Sequence, residues 1–176
     1  MQALILGGAR SGKSRFAENL ALQSGHDVLY IATAQAHDAE MFARIQHHQA
    51  SRPARWQTLE EPLALADALQ QHARPDCLLL VDCLTLWLTN LLCLEDEPRL
   101  DAEISALVDC LPSLTGDVLL VSNEIGLGIV PLGELTRRYV DHAGRLHQQL
   151  AAQIDNVAFM VAGLPHFLKG NIAWNG

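Results

Sequence analysis

The chain has 176 residues, of which 49% are hydrophobic and 18% are charged. This length suits one domain with a sizeable core, and the composition is that of a globular protein rather than a disordered one. The net charge of −8 argues against a general nucleic-acid binder, which needs a basic face. No apolar run reaches the roughly 18 residues that a membrane span requires. We therefore expect one globular domain over residues 1–176.

The cysteines and the N-terminus predict a cytoplasmic protein. The four cysteines form no CxxC pair and have no zinc-type spacing, and three of them stand in apolar runs. A free cysteine in such a run behaves as a small hydrophobe. The chain enters a strand pattern directly, with no basic segment or cleavage site, so we expect no signal peptide. Reduced cysteines are typical of the cytoplasm.

A Walker A motif occupies residues 7–14, which read Gly7-Gly8-Ala9-Arg10-Ser11-Gly12-Lys13-Ser14. A buried-strand pattern precedes it and a helical pattern at Arg15–Gln23 follows, which is the context that the motif requires. Glycines let backbone N–H groups point at phosphate oxygens, and the helix N-terminus adds positive potential. Lys13 can reach the β- and γ-phosphates, and the Ser14 hydroxyl can bind Mg²⁺. The motif predicts a nucleoside triphosphate site; a glycine-rich turn that binds nothing is the weaker explanation.

Strand and helix patterns alternate along the chain, which is typical of an α/β domain with a mostly parallel sheet. The predicted strands are Ala3–Leu6, Asp27–Thr33, Trp56–Leu59, Cys77–Asp82, Asp117–Val121 and Asn156–Ala162. The predicted helices after the first are 38–49, 63–72, 85–92, 101–111 and 132–154. Residues 95–99 are predicted to be a linker, and Gly163 to start a tail. Ligands of open parallel sheets bind beyond the carboxyl ends of the strands, so Ala32-Thr33-Ala34 should face the site.

Three further segments are candidates for chemistry. The apolar run ending in Asp82 has the form of a Walker B strand, whose carboxylate lies beside the nucleotide's Mg²⁺. On helix 38–49, helical spacing places His48 on the buried stripe and His47 on the polar face. The glycine-containing segment 122–131 follows a buried strand, and both a functional loop and an ordinary connection explain it. On helix 132–154 the predicted buried stripe is Leu135, Tyr139, Ala143, Leu146 and Leu150.

The sequence resembles the bifunctional adenosylcobinamide kinase/adenosylcobinamide-phosphate guanylyltransferase family of cobalamin assembly, from Leu4 to about Gly163. Besides the Walker A motif, four segments carry the resemblance: Tyr30-Ile31-Ala32-Thr33; Glu40-Met41 with Arg44-Ile45-Gln46-His47-His48, Arg52-Pro53 and Trp56; Asn123-Glu124-Ile125-Gly126-Leu127-Gly128-Ile129-Val130-Pro131; and Arg137-Arg138, Asp141 and Ala143-Gly144-Arg145. The resemblance implies a RecA-like P-loop fold, trimeric assembly and two reactions. These are phosphorylation of the aminopropanol hydroxyl of adenosylcobinamide, and then GMP transfer through a guanylyl–histidine intermediate.

The resemblance also implies the site residues and co-substrates. The nucleophilic histidine of the family matches His47, in agreement with the helical-face argument. GTP contacts are implied for the Walker A loop, for Ala32, Thr33 and Ala34, for Glu60 and Asp82, and for His48, Gln49, Ala50 and Ser51. Mg²⁺ at Ser14 and Asp82, with GTP and ATP as co-substrates, completes the expected site.

Two other functions fit the Walker A motif. A single-activity P-loop kinase of small molecules would leave His47 as an ordinary solvated histidine. A regulatory nucleotide-binding module would hydrolyse the triphosphate slowly and without regard to a corrinoid. Covalent labelling by GTP separates the bifunctional enzyme from both.

Overall fold

The computed structural model describes residues 1–35 and 53–172. The predicted helix 38–49 with His47 and His48, the residues Gln49, Ala50 and Ser51, and residues 173–176 lie outside the described residues. Within the described ranges, no helix has the length and apolar character needed to cross a membrane.

The sheet has seven strands in the order β3-β2-β4-β5-β1-β6-β7. All neighbours pair in parallel except β6 and β7, which are antiparallel. The strands are β1 Gln2–Gly7, β2 Asp27–Ala32, β3 Gln57–Glu60, β4 Cys77–Asp82, β5 Asp117–Asn123, β6 Asn156–Val161 and β7 Leu164–Lys169. The predicted α/β class with a mostly parallel sheet is therefore confirmed.

The described residues also form five α-helices and a 3-10 turn at Leu111–Ser113. The helices are α1 Lys13–Gln23, α2 Leu65–His72, α3 Leu84–Leu92, α4 Glu97–Cys110 and α5 Glu134–Gln153. Residues 97–99 of the predicted linker instead form the first turn of α4, whereas Glu95 and Asp96 precede the helix as predicted. Asp96 caps this helix by accepting a hydrogen bond from the Arg99 N–H, and Pro98 occupies the first turn, where its missing N–H costs nothing.

The core lies on both faces of the sheet because successive strand side chains point in opposite directions. Along β1, Leu4 packs into a cluster with α2, α3, α4 and α5, whereas Ile5 packs into a second cluster with α1. Buried apolar residues fill most positions of the inner strands, as expected for a parallel sheet covered on both faces. Because helices cover both faces of the sheet, a ligand can bind at the carboxyl ends of the strands.

Two further parts of the fold differ from the sequence prediction. The predicted tail forms β7, an edge strand in which Pro165 pairs opposite Met160; proline is tolerated there because an edge strand does not need every N–H for pairing. In α5, Tyr139, Ala143, Leu146 and Leu150 are buried as predicted, but Leu135 is 53% exposed. The first turn of α5 therefore extends beyond the core.

Candidate active site

The loop between β1 and α1 has the backbone of a phosphate cradle. Gly12 has φ +98°, and a Cβ added there would lie 3.1 Å from the Cα of Gly163. The Gly163 N–H donates to the Ser11 carbonyl at 2.9 Å, so the turn between β6 and β7 supports the loop from one side. A Cβ on Gly7 would come within 2.6 Å of the Met160 carbonyl oxygen. Glycine is thus required at both ends of this loop by positive φ or by close approach.

Lys13 is folded back onto this loop. Its side chain is 7% exposed, and its Nζ donates to the Gly8 carbonyl at 2.6 Å and to the Ser11 hydroxyl at 3.4 Å. Burial lowers the pKa of Lys13, and the negative charge of Asp82 opposes that shift. A triphosphate would offer this ammonium stronger, charge-assisted partners in place of the carbonyl and the hydroxyl.

Asp82 lies at the carboxyl end of β4, in register with Ala32 of β2. The hydroxyl of Tyr30 donates to its Oδ2 at 2.9 Å, which orients the carboxylate. The strand of Asp82 and the strand of the P-loop are separated by one strand, β5. The chain therefore brings an oriented carboxylate and a buried ammonium to the same edge of the sheet, as the two Walker patterns predict.

A cavity of about 620 Å³ opens between the P-loop and the ends of β2, β4 and β5. Of the residues predicted to bind nucleotide or metal, those lining it are Ala9, Arg10, Ser11, Gly12, Lys13, Ser14, Ala32, Ala34 and Asp82. Other lining residues were not among the residues predicted to bind nucleotide or metal, although Tyr30 and Asn123 stand in segments that carry the family resemblance: Arg15, Tyr30, Cys83, Thr85, Leu86, Val121 and Asn123. Its volume is within the range of small-molecule sites, roughly 300–1,000 Å³.

Thr33 and Glu60 do not line this cavity. Thr33 is fully buried, and its hydroxyl donates to the Cys83 carbonyl at 2.7 Å while accepting from the Cys83 N–H at 3.0 Å. Asn90 donates to the Thr33 carbonyl at 2.8 Å. These bonds hold the chain after β2 against the chain after β4. Glu60 is exposed at the end of β3, opposite Ala32, one strand further from the P-loop.

Two of the unpredicted polar residues carry a recognisable signal. Thr85 is in the first turn of the helix that follows the Asp82 strand, and its hydroxyl accepts from the Asn123 N–H at 2.8 Å. Asn123 ends β5, the strand between the P-loop strand and the Asp82 strand. Polar residues at the carboxyl ends of neighbouring parallel strands are candidates for a binding site. Once the strand order is known, Thr85 and Asn123 can therefore be recognised as candidate site residues.

Burial also decides the state of the cysteine in this cavity. Loss of solvent around the Cys83 thiol raises its pKa to about 11, and the neighbouring Asp82 adds to the shift. A thiol with so high a pKa is neutral and a poor nucleophile at neutral pH. All four cysteines are free.

The segment after β5 is fixed at its start by a buried histidine that the sequence patterns did not single out. His147 of α5 is 7% exposed; its Nε2 lies 2.8 Å from the Ser122 hydroxyl and its Nδ1 lies 3.5 Å from Glu124 Oε2. The other Glu124 oxygen accepts from the Gly126 N–H at 2.5 Å. Burial lowers the pKa of His147, and Glu124 opposes the shift. This network holds the first residues of the glycine-containing segment.

Beyond Gly126 the same segment exposes apolar side chains. The exposed fractions are 80% for Leu127, 97% for Ile129, 72% for Val130 and 98% for Leu132. We call this run, residues 127–132, the apolar loop. A concentration of apolar surface of this kind is typical of an interaction site rather than of a solvated connection.

Comparison with known proteins identifies the family. The model of the cobinamide kinase / cobinamide phosphate guanyltransferase family matches residues 3–168. The chain belongs to this family. It is 64% identical over 170 residues to a bifunctional adenosylcobalamin biosynthesis protein of Pseudomonas aeruginosa, covering 97% of this chain and 98% of that protein. The corresponding protein of Salmonella typhimurium is 43% identical over 177 residues, covering 93% and 97%.

Solved structures support the fold independently. A protein from Pyrococcus horikoshii superimposes with a TM-score of 0.61 at 9% identity, covering 96% of this chain and 86% of that protein. The RadB recombinase gives a TM-score of 0.53 at 16% identity, covering 90% and 73%. The predicted RecA-like P-loop fold is confirmed. As a member of the cobinamide kinase / cobinamide phosphate guanyltransferase family, the protein is a transferase of cobalamin biosynthesis.

Proposed function

We propose that this chain phosphorylates the aminopropanol hydroxyl of adenosylcobinamide, using ATP or GTP, and then attaches GMP from GTP to the new phosphate. The observation that carries the kinase step is the cavity that holds both the buried Lys13 and the oriented Asp82. Phosphoryl transfer depends mainly on positioning and on charge stabilisation. A buried ammonium and an oriented carboxylate that line the same cavity supply both.

In the kinase step, the loop N–H groups and Lys13 hold the β- and γ-phosphates. The acceptor hydroxyl then forms a new bond to the γ-phosphorus as the bond to the nucleoside diphosphate oxygen breaks, and the hydroxyl proton passes to solvent water. Lys13 stabilises the negative charge that develops on the phosphoryl oxygens. Tyr30 keeps the Asp82 carboxylate aimed at the cavity.

The residues present fit Mg²⁺. Magnesium in nucleotide sites uses one or two protein oxygen ligands together with the substrate phosphates, and the Asp82 carboxylate and the Ser14 hydroxyl line one cavity. The described residues hold no group of three or more His, Cys, Asp or Glu side chains close enough to bind a metal, so an all-protein cage is not the expected design. When bound, Mg²⁺ would neutralise phosphate charge.

For the second step, the family resemblance supports His47 as the nucleophile. A neutral imidazole nitrogen forms a bond to the α-phosphorus of GTP, and pyrophosphate leaves. A phosphate oxygen of adenosylcobinamide phosphate then attacks the same phosphorus, which releases the imidazole and yields adenosylcobinamide-GDP. His47 lies outside the described residues, on the segment that joins Ala34, a residue of the cavity wall, to β3. GTP contacts from Glu60 and from residues 48–51 remain predictions.

Incubation with GTP labelled with ³²P at the α-phosphate, followed by denaturation, tests this second step. We expect protein-bound label that is acid-labile and alkali-stable, absent from His47→Ala and retained in the control His72→Ala, which changes a histidine at the end of α2. His47→Ala should still phosphorylate adenosylcobinamide. No label in the wild type would contradict the covalent step and favour the single-activity kinase.

Assembly and location are part of the same proposal. The family resemblance implies a trimer, and the exposed apolar loop supports a contact between copies. The free cysteines are consistent with a reducing compartment, so we propose that the enzyme works in the cytoplasm.

A further inference from the structure

A second cavity, of about 370 Å³, lies on the other side of the P-loop, between α1 and the turn that joins β6 to β7. Arg10, Ser11, Gly12 and Arg15 line both cavities. The two cavities therefore share the P-loop as a common wall. A ligand held by this loop can extend into either one.

The walls of this second cavity have a mixed character. Phe16, which is 1% exposed, and Leu164, which is 70% exposed, contribute apolar side chains to the lining. Asn19 of α1 adds an amide that both donates and accepts hydrogen bonds. Among the described residues, the charged groups that line the cavity are Arg10 and Arg15, and none of the lining residues is a carboxylate. An apolar slot with one amide and two cations suits a flat, hydrogen-bonding ligand attached to an anion.

We propose that this cavity takes the purine nucleoside of the triphosphate that donates the phosphoryl group. The inference rests on the proposed function, because it assumes that the P-loop holds a triphosphate. In such a loop the backbone N–H groups hold the α- and β-phosphates and the lysine reaches the β- and γ-phosphates. Lys13 and Asp82 therefore define the terminal end of the polyphosphate, in the larger cavity. The nucleoside is attached at the other end, where the second cavity begins.

The size and chemistry of the second cavity fit this ligand. A volume of about 370 Å³ is within the range of small-molecule sites. Asn19 can pair with a purine edge, since its amide supplies a donor and an acceptor side by side. The Arg15 guanidinium or the Leu164 side chain can lie against the face of the base.

This placement also separates the two reactions in space. With the donor nucleoside beside α1, the β2 and β4 side of the larger cavity stays open for the acceptor hydroxyl. The nucleotide contacts that the family resemblance implies, at Ala32–Ala34, Glu60 and Asp82, lie toward that other side. The proposal thus assigns the donor nucleoside to the smaller cavity and leaves the larger one for the transferred phosphate and its acceptor.

Calorimetric titration of the full chain with Mg²⁺ and three ligands, ATP, GTP and inorganic tripolyphosphate, tests the inference. Asn19→Ala should weaken the binding of at least one nucleotide about tenfold, the effect of one lost hydrogen bond in a partly buried site, and leave tripolyphosphate unchanged. Lys13→Ala should weaken all three. Gln23→Ala, which removes an amide one turn further along α1 and outside the cavity, is the matched control and should match the wild type.

The outcomes are distinguishable. If the wild type binds none of the three ligands, the proposed function is overturned. Binding of all three ligands with no selective loss in Asn19→Ala, or with an equal loss for tripolyphosphate, would overturn the nucleoside site alone. Photolabelling of the wild type with 8-azido-ATP and 8-azido-GTP, in the presence of Mg²⁺, gives a check that needs no variant. We expect the label on residues 16–19 or 163–167; label from both probes confined to residues 30–34 or 82–86 would overturn the inference.

Discussion

The loops that follow β1 and β5 lie side by side, since these strands pair directly, with Gly7 opposite Asn123. The P-loop is fixed by the chain's own bonds: Gly163 donates to Ser11, and Lys13 donates to Gly8. Within the described residues, the side-chain hydrogen bonds of the loop after β5 lie near its ends: Glu124 accepts from Gly126 at its start, and Arg137 donates to the Pro131 and Leu132 carbonyls. Its apolar side chains between those points are exposed. The two neighbouring loops therefore differ in role. The P-loop is preorganised for a small ligand, and the loop after β5 exposes an apolar surface.

Among substitutions in the P-loop, removal of the Lys13 ammonium should have the largest effect on activity. Lys13→Ala should lower phosphoryl transfer by at least about 100-fold, because a charge aimed at the transferred phosphate in a water-poor site is lost. The measurement is kcat/KM for adenosylcobinamide phosphorylation.

The matched control for Lys13→Ala is the only other lysine of the sequence. Lys169 lies in β7 and donates to the Ala151 carbonyl, away from both cavities. Lys169→Ala should retain wild-type turnover. Near-normal turnover in Lys13→Ala would show that the P-loop ammonium is not the group that holds the phosphates.

The second-largest effect on binding should come from replacing a P-loop glycine whose backbone conformation other residues disfavour. Gly12→Ala places a methyl group at φ +98° and 3.1 Å from Gly163, and strain of this kind costs about 1–3 kcal/mol. We expect triphosphate binding to weaken about 10- to 100-fold and the melting temperature to fall. Gly144→Ala in α5, where an added Cβ meets nothing within 4 Å, should instead raise the melting temperature and leave binding intact. Similar behaviour of the two variants would contradict the claim that the P-loop requires glycine.

The predictable parts of this molecule are those specified by local pattern. The run 77–82 is apolar up to Asp82, and this pattern identifies both the strand and its terminal carboxylate. The Walker A motif identifies the loop, the helix after it and Lys13. In each case, neighbouring residues in sequence supply the whole signal, so no knowledge of strand order is needed.

The unpredicted parts depend on residues that are distant in sequence. Gly163 supports the P-loop through a bond between residues about 150 positions apart. From the sequence we expected only the start of a tail there. His147 stands in the buried stripe of α5, four residues after Ala143 and three before Leu150. A polar residue at such a position needs partners, and nothing in the sequence identifies Ser122 and Glu124 as those partners before the fold is known.

In the loop after β5, substitutions of the apolar loop should change assembly and leave monomer stability almost unchanged. Ile129 and Leu132 are 97% and 98% exposed, and surface substitutions of this kind change stability within about 0.5 kcal/mol. The double variant Ile129→Ser/Leu132→Ser should convert the proposed trimer to a smaller species, with the mass measured by light scattering. Leu168→Ser, which changes a 58% exposed leucine of β7, is the control and should remain trimeric. A double variant of unchanged trimeric mass, or a monomeric wild type, would contradict the role of this loop.

The smallest expected effect is on the pH dependence of stability, and it comes from His147, which holds the start of the loop after β5. Burial holds the folded-state pKa of His147 below its ordinary value of about 6.5. Between those two values the unfolded chain binds more protons than the folded chain, so stability rises with pH and is lost as pH falls through about 6.5. His147→Gln should flatten the dependence of the unfolding free energy on pH between about pH 7.5 and 5.

Glu124→Gln should act in the opposite direction. The Glu124 carboxylate, 3.5 Å from Nδ1, raises the pKa of His147 against the effect of burial. Its neutralisation lets that pKa fall further, so the stability of the variant should decline more steeply toward acid pH than that of the wild type. Urea unfolding at several pH values measures both slopes. Parallel curves for the wild type and both variants would show that the buried imidazole contributes nothing to acid sensitivity, and that its role at this loop is packing and hydrogen bonding alone.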